Sequence, residues 1–183
     1  IKKVNVGRNV TQIGSGVFEG CGSLTKVTFG SGLKEIGEGA FKNCAALSAF
    51  TLPAELERVE AEAFYCCLGI KALTIPASVA YIGDRAFYGC TGLRKITIKS
   101  GRLTGNSFGK DVFTGVPQDA VYQLSIKDTA VKDELAGLLT DDSERFTDKK
   151  GIAYRVSSKE KRTFTVVGLT DAAAGKLKSV SIP

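Results

Sequence analysis

The sequence predicts an α/β-type solenoid of 23-residue units, with a parallel β-sheet on its concave face. Three observations predict it. Phe18, Phe41, Phe64 and Phe87 stand 23 residues apart, and Cys21, Cys44, Cys67 and Cys90 follow in the same step. Leu24, Leu47, Ile70 and Leu93 keep that register as well. Each unit then closes on an alternating L-x-x-V-x-I segment, as in Leu24-Thr25-Lys26-Val27-Thr28-Phe29, which marks a short strand with one buried face.

Within a unit, Val10, Leu33, Leu56 and Val79 come first, and Ile13, Ile36, Val59 and Ile82 stand three residues later. The inward strand positions are Val27, Phe50, Leu73 and Ile96, then Phe29, Leu52, Ile75 and Ile98. Such a unit is too short for two packed helices. It also buries too little apolar surface to fold alone, so each unit must cover its neighbour's open face. One period before Leu24, Val27 and Phe29 lie Ile1, Val4 and Val6, which places the chain's start inside a strand of an earlier unit. Leu177, Val180, Ile182 and Pro183 repeat the strand pattern at the other end, and both ends read as cuts in a longer protein.

The period breaks after Ile98. Val112-Phe113 stands 26 residues beyond its counterpart, with Val116 in the cysteine position. Val121-x-x-Leu124-x-Ile126 is expected to restore the strand after a two-residue insertion, so the solenoid is assigned residues 1–127. Residues 128–150 are expected to form a short capping helix and linker, with Val131, Leu135, Leu138 and Leu139 on one stripe and Asp128 or Thr129 as the cap. Residues 151–183 read as a C-terminal β-hairpin and strand that open a further, truncated repeat block. The hairpin's alternating arms are 151–157 and 163–167, joined through the polar residues 158–162.

The formal charge of +6 is spread out, densest at Lys149, Lys150, Lys159, Lys161 and Arg162. That region reads first as a solvated surface, and second as a weak attraction for acidic polysaccharide or a negatively charged surface. No stripe of cations interleaved with aromatics occurs, so nucleic acid is not an expected partner. No apolar run approaches the 18 residues of a membrane span, and no membrane insertion is expected of this fragment.

The stacked cysteines fall in a line at roughly the 4.8 Å strand spacing. Their Cβ atoms are then slightly too far apart for disulfides, and a line of sulfurs does not converge on a tetrahedral metal. Free buried thiols are expected, with Cys66, off the register, partly exposed. Gly14, Gly37 and Gly83 follow the isoleucine position, but Glu60 stands there in the third unit, so glycine reads there as a packing convenience.

The chain has no histidine, which removes the commonest general base and most metal sites. Neither a phosphate-binding loop nor a nucleophile elbow occurs. No catalytic residue, metal site or cofactor is expected. What remains is the outward strand face, where Asn5, Thr28, Thr51, Thr74, Thr97, Ser125 and Ser181 form a hydroxyl-rich column beside Lys3, Lys26, Ala49, Ala72 and Lys95. One reading is that threonine simply suits strands. The other is an extended partner surface, with Lys26, Thr28, Thr51, Thr74, Lys95, Thr97 and Lys99 as candidate ligand-binding residues.

The unit L-x-x-I-G-x-x-A-F-x-x-C-x-x-L-x-x-V-x-I-P resembles the BspA-like, or Treponema-type, leucine-rich repeat, most clearly over Gly83-Asp84-Arg85-Ala86-Phe87-Tyr88-Gly89-Cys90. The resemblance implies a curved solenoid from a secreted or cell-surface protein of a host-associated bacterium, and reduced thiols would then suit an anaerobic setting. It also implies adhesion or interaction with a protein or glycan at a host or bacterial surface. The alternative from another class is a passive spacer that displays a neighbouring domain.

Overall fold

The computed structural model describes residues 1–103, 107–117 and 119–124, together with the backbone of three strands within 145–169. The strands run in chain order as β1 (Lys3–Asn5), β2 (Gln12–Ile13), β3 (Lys26–Thr28), β4 (Glu35–Ile36), β5 (Arg58–Val59) and β6 (Ala72–Ile75). They continue as β7 (Tyr81–Ile82), β8 (Lys95–Ile98), β9 (Val121–Leu124), β10 (Arg145–Thr147), β11 (Ile152–Ser158) and β12 (Thr163–Leu169). The expected helix over 128–139 and the closing strand near 177–183 lie outside the described residues.

The predicted strand column forms by parallel pairing of residues one unit apart. Val4 pairs with Val27 in β1 and β3, and Ile96 of β8 pairs with Leu73 of β6. Strand β9 follows β8, β10 follows β9 in parallel, and β11 and β12 add antiparallel. The column is not one sheet, however. Beyond β3 it continues only through a bridge from Lys26 to Ala49, and β6 opens a separate six-stranded sheet. Phe50 sits at the break, in the position held elsewhere by Val27, Leu73 and Ile96. Its ring stacks on Phe64 at 5.2 Å and meets Phe29 edge-on at 6.2 Å. A ring this large leaves the aliphatic row for the aromatic one, and Pro53 then removes a donor from the ladder.

A second correction concerns the opposite side. The sequence pattern marks one strand per unit, but β2, β4, β5 and β7 pair in parallel as a further four-stranded sheet. Each strand is two residues long, with the inward Ile13, Ile36, Val59 and Ile82 buried. Strands this short give no detectable alternation in sequence. A third ladder joins the turns: the N–H groups of Gly16, Phe18 and Gly20 donate to the carbonyls of Glu38, Ala40 and Lys42 at 2.7–2.9 Å. Phe41 and Asn43 repeat the pattern on Ala63 and Tyr65, so stacking, not helix, satisfies the turn backbone.

A third correction concerns register at the irregular unit. Ile96 pairs with Tyr122 and Ile98 with Leu124, so the 26-residue offset of Phe113 carries into the strand with no further insertion. Tyr122 takes the inward position, buried against Phe113 with ring centroids 6.3 Å apart, and Val121 faces outward. Tyr122, which the expected register left between its apolar positions, therefore holds the core position, because the aromatic row extends to this unit.

The core is a pair of columns. Phe18, Phe41, Phe64, Phe87 and Phe113 stack face to face at 5.1–5.6 Å. Beside them, the thiols of Cys44, Cys67 and Cys90 donate to the carbonyls of Phe18, Phe41 and Phe64 at 3.0–3.3 Å. Cysteine here therefore does more than fill space, since each thiol satisfies a carbonyl of the preceding unit. All five cysteines are free; Cys66 is half-buried as expected, and so is Cys21, which has no preceding unit of the same kind against it.

At Gly37 and Gly83 the glycine after the isoleucine position is required by close approach, whereas Gly14 is uncrowded and Glu60 takes the position in the third unit. A Cβ on Gly83 would lie 2.4 Å from the Ala61 nitrogen, and one on Gly37 would lie 2.7 Å from the Ile13 carbonyl oxygen. Neither neighbour is a side chain that can swing aside. Gly83→Ala is therefore expected to destabilise the fold by about 1–3 kcal/mol through overpacking. Gly14→Ala, whose nearest neighbour is the Val17 side chain at 3.4 Å, should cost far less. Urea unfolding of the two variants checks the contrast.

Candidate functional site

The outward positions of the strand column are set by alternation: with Val27, Leu73 and Ile96 pointing in, their flanking residues must point out. Lys26 and Thr28 are exposed on β3, Thr74 on β6 and Lys95 on β8, and Thr97 is half-buried. Thr51 is exposed but belongs to no strand, and Lys99 is exposed just beyond β8, its N–H bonded to the Ile75 carbonyl. The structure brings Thr74 beside Thr97 and Ala72 beside Lys95. It does not join Thr28, Thr51 and Thr74 into one ladder, because the break at Phe50 separates them.

Other residues enlarge this face. Lys3 lies directly across from Lys26, Asn5 across from Thr28, and Gln123 across from Thr97, where the sequence pattern had placed Ser125. Lys71 and Arg94, exposed immediately before β6 and β8, add two cations. Their own 23-residue spacing was the available signal, but they fall outside the alternating part of the unit.

Electrostatics differ sharply between the two sides. Around the second sheet and the turns, four cations among the described residues are paired with carboxylates of the chain. Lys34 pairs with Glu57 at 3.2 Å, and Glu62 joins Lys42 at 2.7 Å to Arg85 at 3.3 Å. Arg58 binds Glu60 at 2.7 Å while its guanidinium lies 4.3 Å from the Tyr81 ring centroid. The hydrogen bond from Lys42 to Glu62 raises the lysine's pKa, and Glu60 does the same for Arg58. On the strand face, Lys3, Lys26, Lys71, Lys95 and Lys99 have no carboxylate within salt-bridge distance among the described residues, and only Arg94 is paired, 3.7 Å from Asp119.

Among the described residues, no group of three or more His, Cys, Asp or Glu side chains is placed to hold a metal ion. No helix among them is long and apolar enough to cross a membrane. The arrangement offers a broad contact surface of hydroxyls and cations.

A family model described as a BspA type leucine rich repeat region matches residues 1–118 in six copies. A leucine-rich repeat protein from Bacteroides ovatus aligns with a TM-score of 0.59 and 29% identity over 67% of this chain and 33% of its own. The leucine rich repeat protein of T. pallidum aligns with a TM-score of 0.61 and 23% identity, over 68% of this chain and 59% of its own. A leucine rich cell surface protein from Faecalibacterium prausnitzii gives a TM-score of 0.61 at 23% identity, over 79% of this chain and 36% of its own. The chain thus spans between about a third and three fifths of these neighbours. Among curated proteins none matches.

Proposed function

The chain belongs to the BspA-type leucine-rich repeat family, and we propose that it is a non-catalytic, extracellular or cell-surface recognition module. It binds a host or microbial macromolecule through a concave strand face. The observation that carries this is the composition of that face: exposed Lys26, Thr28, Thr51, Thr74, Lys95 and Lys99 with half-buried Thr97, small or flexible side chains not covered by turns. Such a surface suits an extended partner better than a pocket-sized ligand. The Faecalibacterium neighbour, described as a cell surface protein, supports the location.

The test replaces Thr51 and Thr74 together with glutamate. Both side chains are exposed, so stability should change by no more than about 0.5 kcal/mol each. Binding to a panel of immobilised host proteins and bacterial surface extracts should fall at least about tenfold, since two anions then stand at the centre of the face. Equal binding by parent and variant would place the site elsewhere. A parent that binds nothing on the panel would favour the spacer role.

A further inference from the structure

We infer that the strand face takes a linear acidic polysaccharide of the sulfated glycosaminoglycan kind, laid across the strands; the inference rests on the strand-face reading above. The segregation of charge carries it. Among the described residues, Lys34, Lys42, Arg58 and Arg85 around the second sheet and turns each pair with a carboxylate of this chain, whereas Lys3, Lys26, Lys71, Lys95 and Lys99 are exposed with none within salt-bridge distance.

A second observation is independent of that census. Lys3 and Lys26 stand directly opposite each other in parallel register, and like charges so placed destabilise a sheet. An external polyanion relieves that repulsion. Lys26 and Lys95 are three units apart, and Lys3 lies one unit further, which is roughly 19 Å from Lys3 to Lys95 at the usual strand spacing. A small anion cannot bridge that distance, but an extended polymer can.

The chemistry of the centre selects among polymers. Between the two lysine clusters the outward positions are Ala49, Thr51, Ala72 and Thr74, neutral, small and partly hydroxylated. No outward position of β1, β3, β6, β8 or β9 is aromatic, so the face lacks the stacking platforms of a single-stranded nucleic-acid groove. It equally lacks the tryptophan and tyrosine anchors that concentrate energy in protein interfaces. Hydroxyls hydrogen-bond sugar rings while the flanking ammonium groups meet sulfates or carboxylates.

The probe is immobilised heparin, with the parent compared to two triple variants. One carries Lys3→Glu, Lys26→Glu and Lys95→Glu on the strand face. The other carries Lys34→Glu, Arg85→Glu and Lys110→Glu on the remaining sides, and both fall from a formal charge of +6 to zero. Thermal melting establishes that each is folded, and glutamine replaces glutamate in any that is not. The parent should be retained and released by salt. The strand-face variant should lose about tenfold or more in affinity, and the control should lose only a small fraction of that. Equal loss in both variants would reduce the effect to net charge and overturn the inference, as would no loss in either. Displacement by acidic polypeptide in preference to heparin oligosaccharide would also overturn it. If heparin is not retained while the Thr51/Thr74 variant still loses a protein partner, the polysaccharide inference fails and the strand-face reading stands. If only the control variant loses heparin, both fail.

Discussion

Replacing Phe64 with alanine is expected to remove about 3–5 kcal/mol of unfolding free energy, the usual range for a fully buried phenylalanine. Its ring lies 5.2 Å from Phe41 on one side and 5.2 Å from Phe87 on the other, with Phe50 a third stacked neighbour. The cavity would therefore open where three rings lose a partner, and the units on both sides have little freedom to collapse because their backbones are tied by the turn ladder. In a stack where each unit contacts only its neighbours, weakening one interface also weakens the coupling across it. The unfolding transition should broaden as well as shift. Phe18→Ala is the comparison, since Phe18 is only half-buried and stacks on Phe41 alone, and it should cost clearly less. Guanidinium unfolding of both variants measures this. A loss under about 1 kcal/mol at Phe64 would mean that the column is not tightly packed.

The phenylalanine and cysteine columns were legible because each occupies one fixed place in a 23-residue period, and a buried column tolerates few residue types. The turn geometry was not. Each turn holds two residues at positive φ, and the positions are filled in successive units by Gly16, Gly39, Glu62, Arg85 and Asp111, and by Gly20, Asn43, Cys66, Gly89 and Gly115. Glycine marks such sites only when it is present. Glu62, Arg85 and Cys66 conceal them, and the stacked N–H···O=C bonds of the turn hold those residues in place despite the local strain.

The break at Phe50 escaped for the opposite reason. Phe50 satisfies the apolar pattern, so periodicity counts it as equivalent to Val27 or Leu73. Shape separates them, because the ring reaches the aromatic column and the aliphatic side chains do not. The same confusion of apolarity with fit displaced the strand at Val121–Leu124 by two residues. At the candidate surface, residue identity was readable from alternation, but the division of charge between the two sides was not. It depends on which lysines meet carboxylates from other units, and that is a property of stacking.

The thiol column makes the fold sensitive to alkali. Burial, with the neighbouring Cys21 adding to it, pushes the Cys44 thiol up to about 11, and burial pushes Cys90 up to about 12 and raises Cys67 as well. In the unfolded chain each titrates near 8.5. A thiol whose folded value lies above its unfolded one contributes stability that is intact below the unfolded value. That stability is lost as pH climbs toward the folded value, because only the unfolded chain can then release the proton. Each buried thiol should therefore cost about 1.4 kcal/mol per pH unit above roughly 8.5. For Cys44 the loss ends near pH 11, after about 3 kcal/mol. Unfolding measured under reducing conditions from pH 7 to 11 should show this decline. Cys44→Ala, less stable at pH 7 through its lost hydrogen bond to Phe18, should decline less steeply by one thiol's share. At pH 8 a colorimetric thiol reagent should modify two cysteines of the folded protein, Cys21 and Cys66, and all five only after unfolding. A pH slope unchanged by Cys44→Ala, or five thiols reacting at once in the folded state, would mean that the column is open to water.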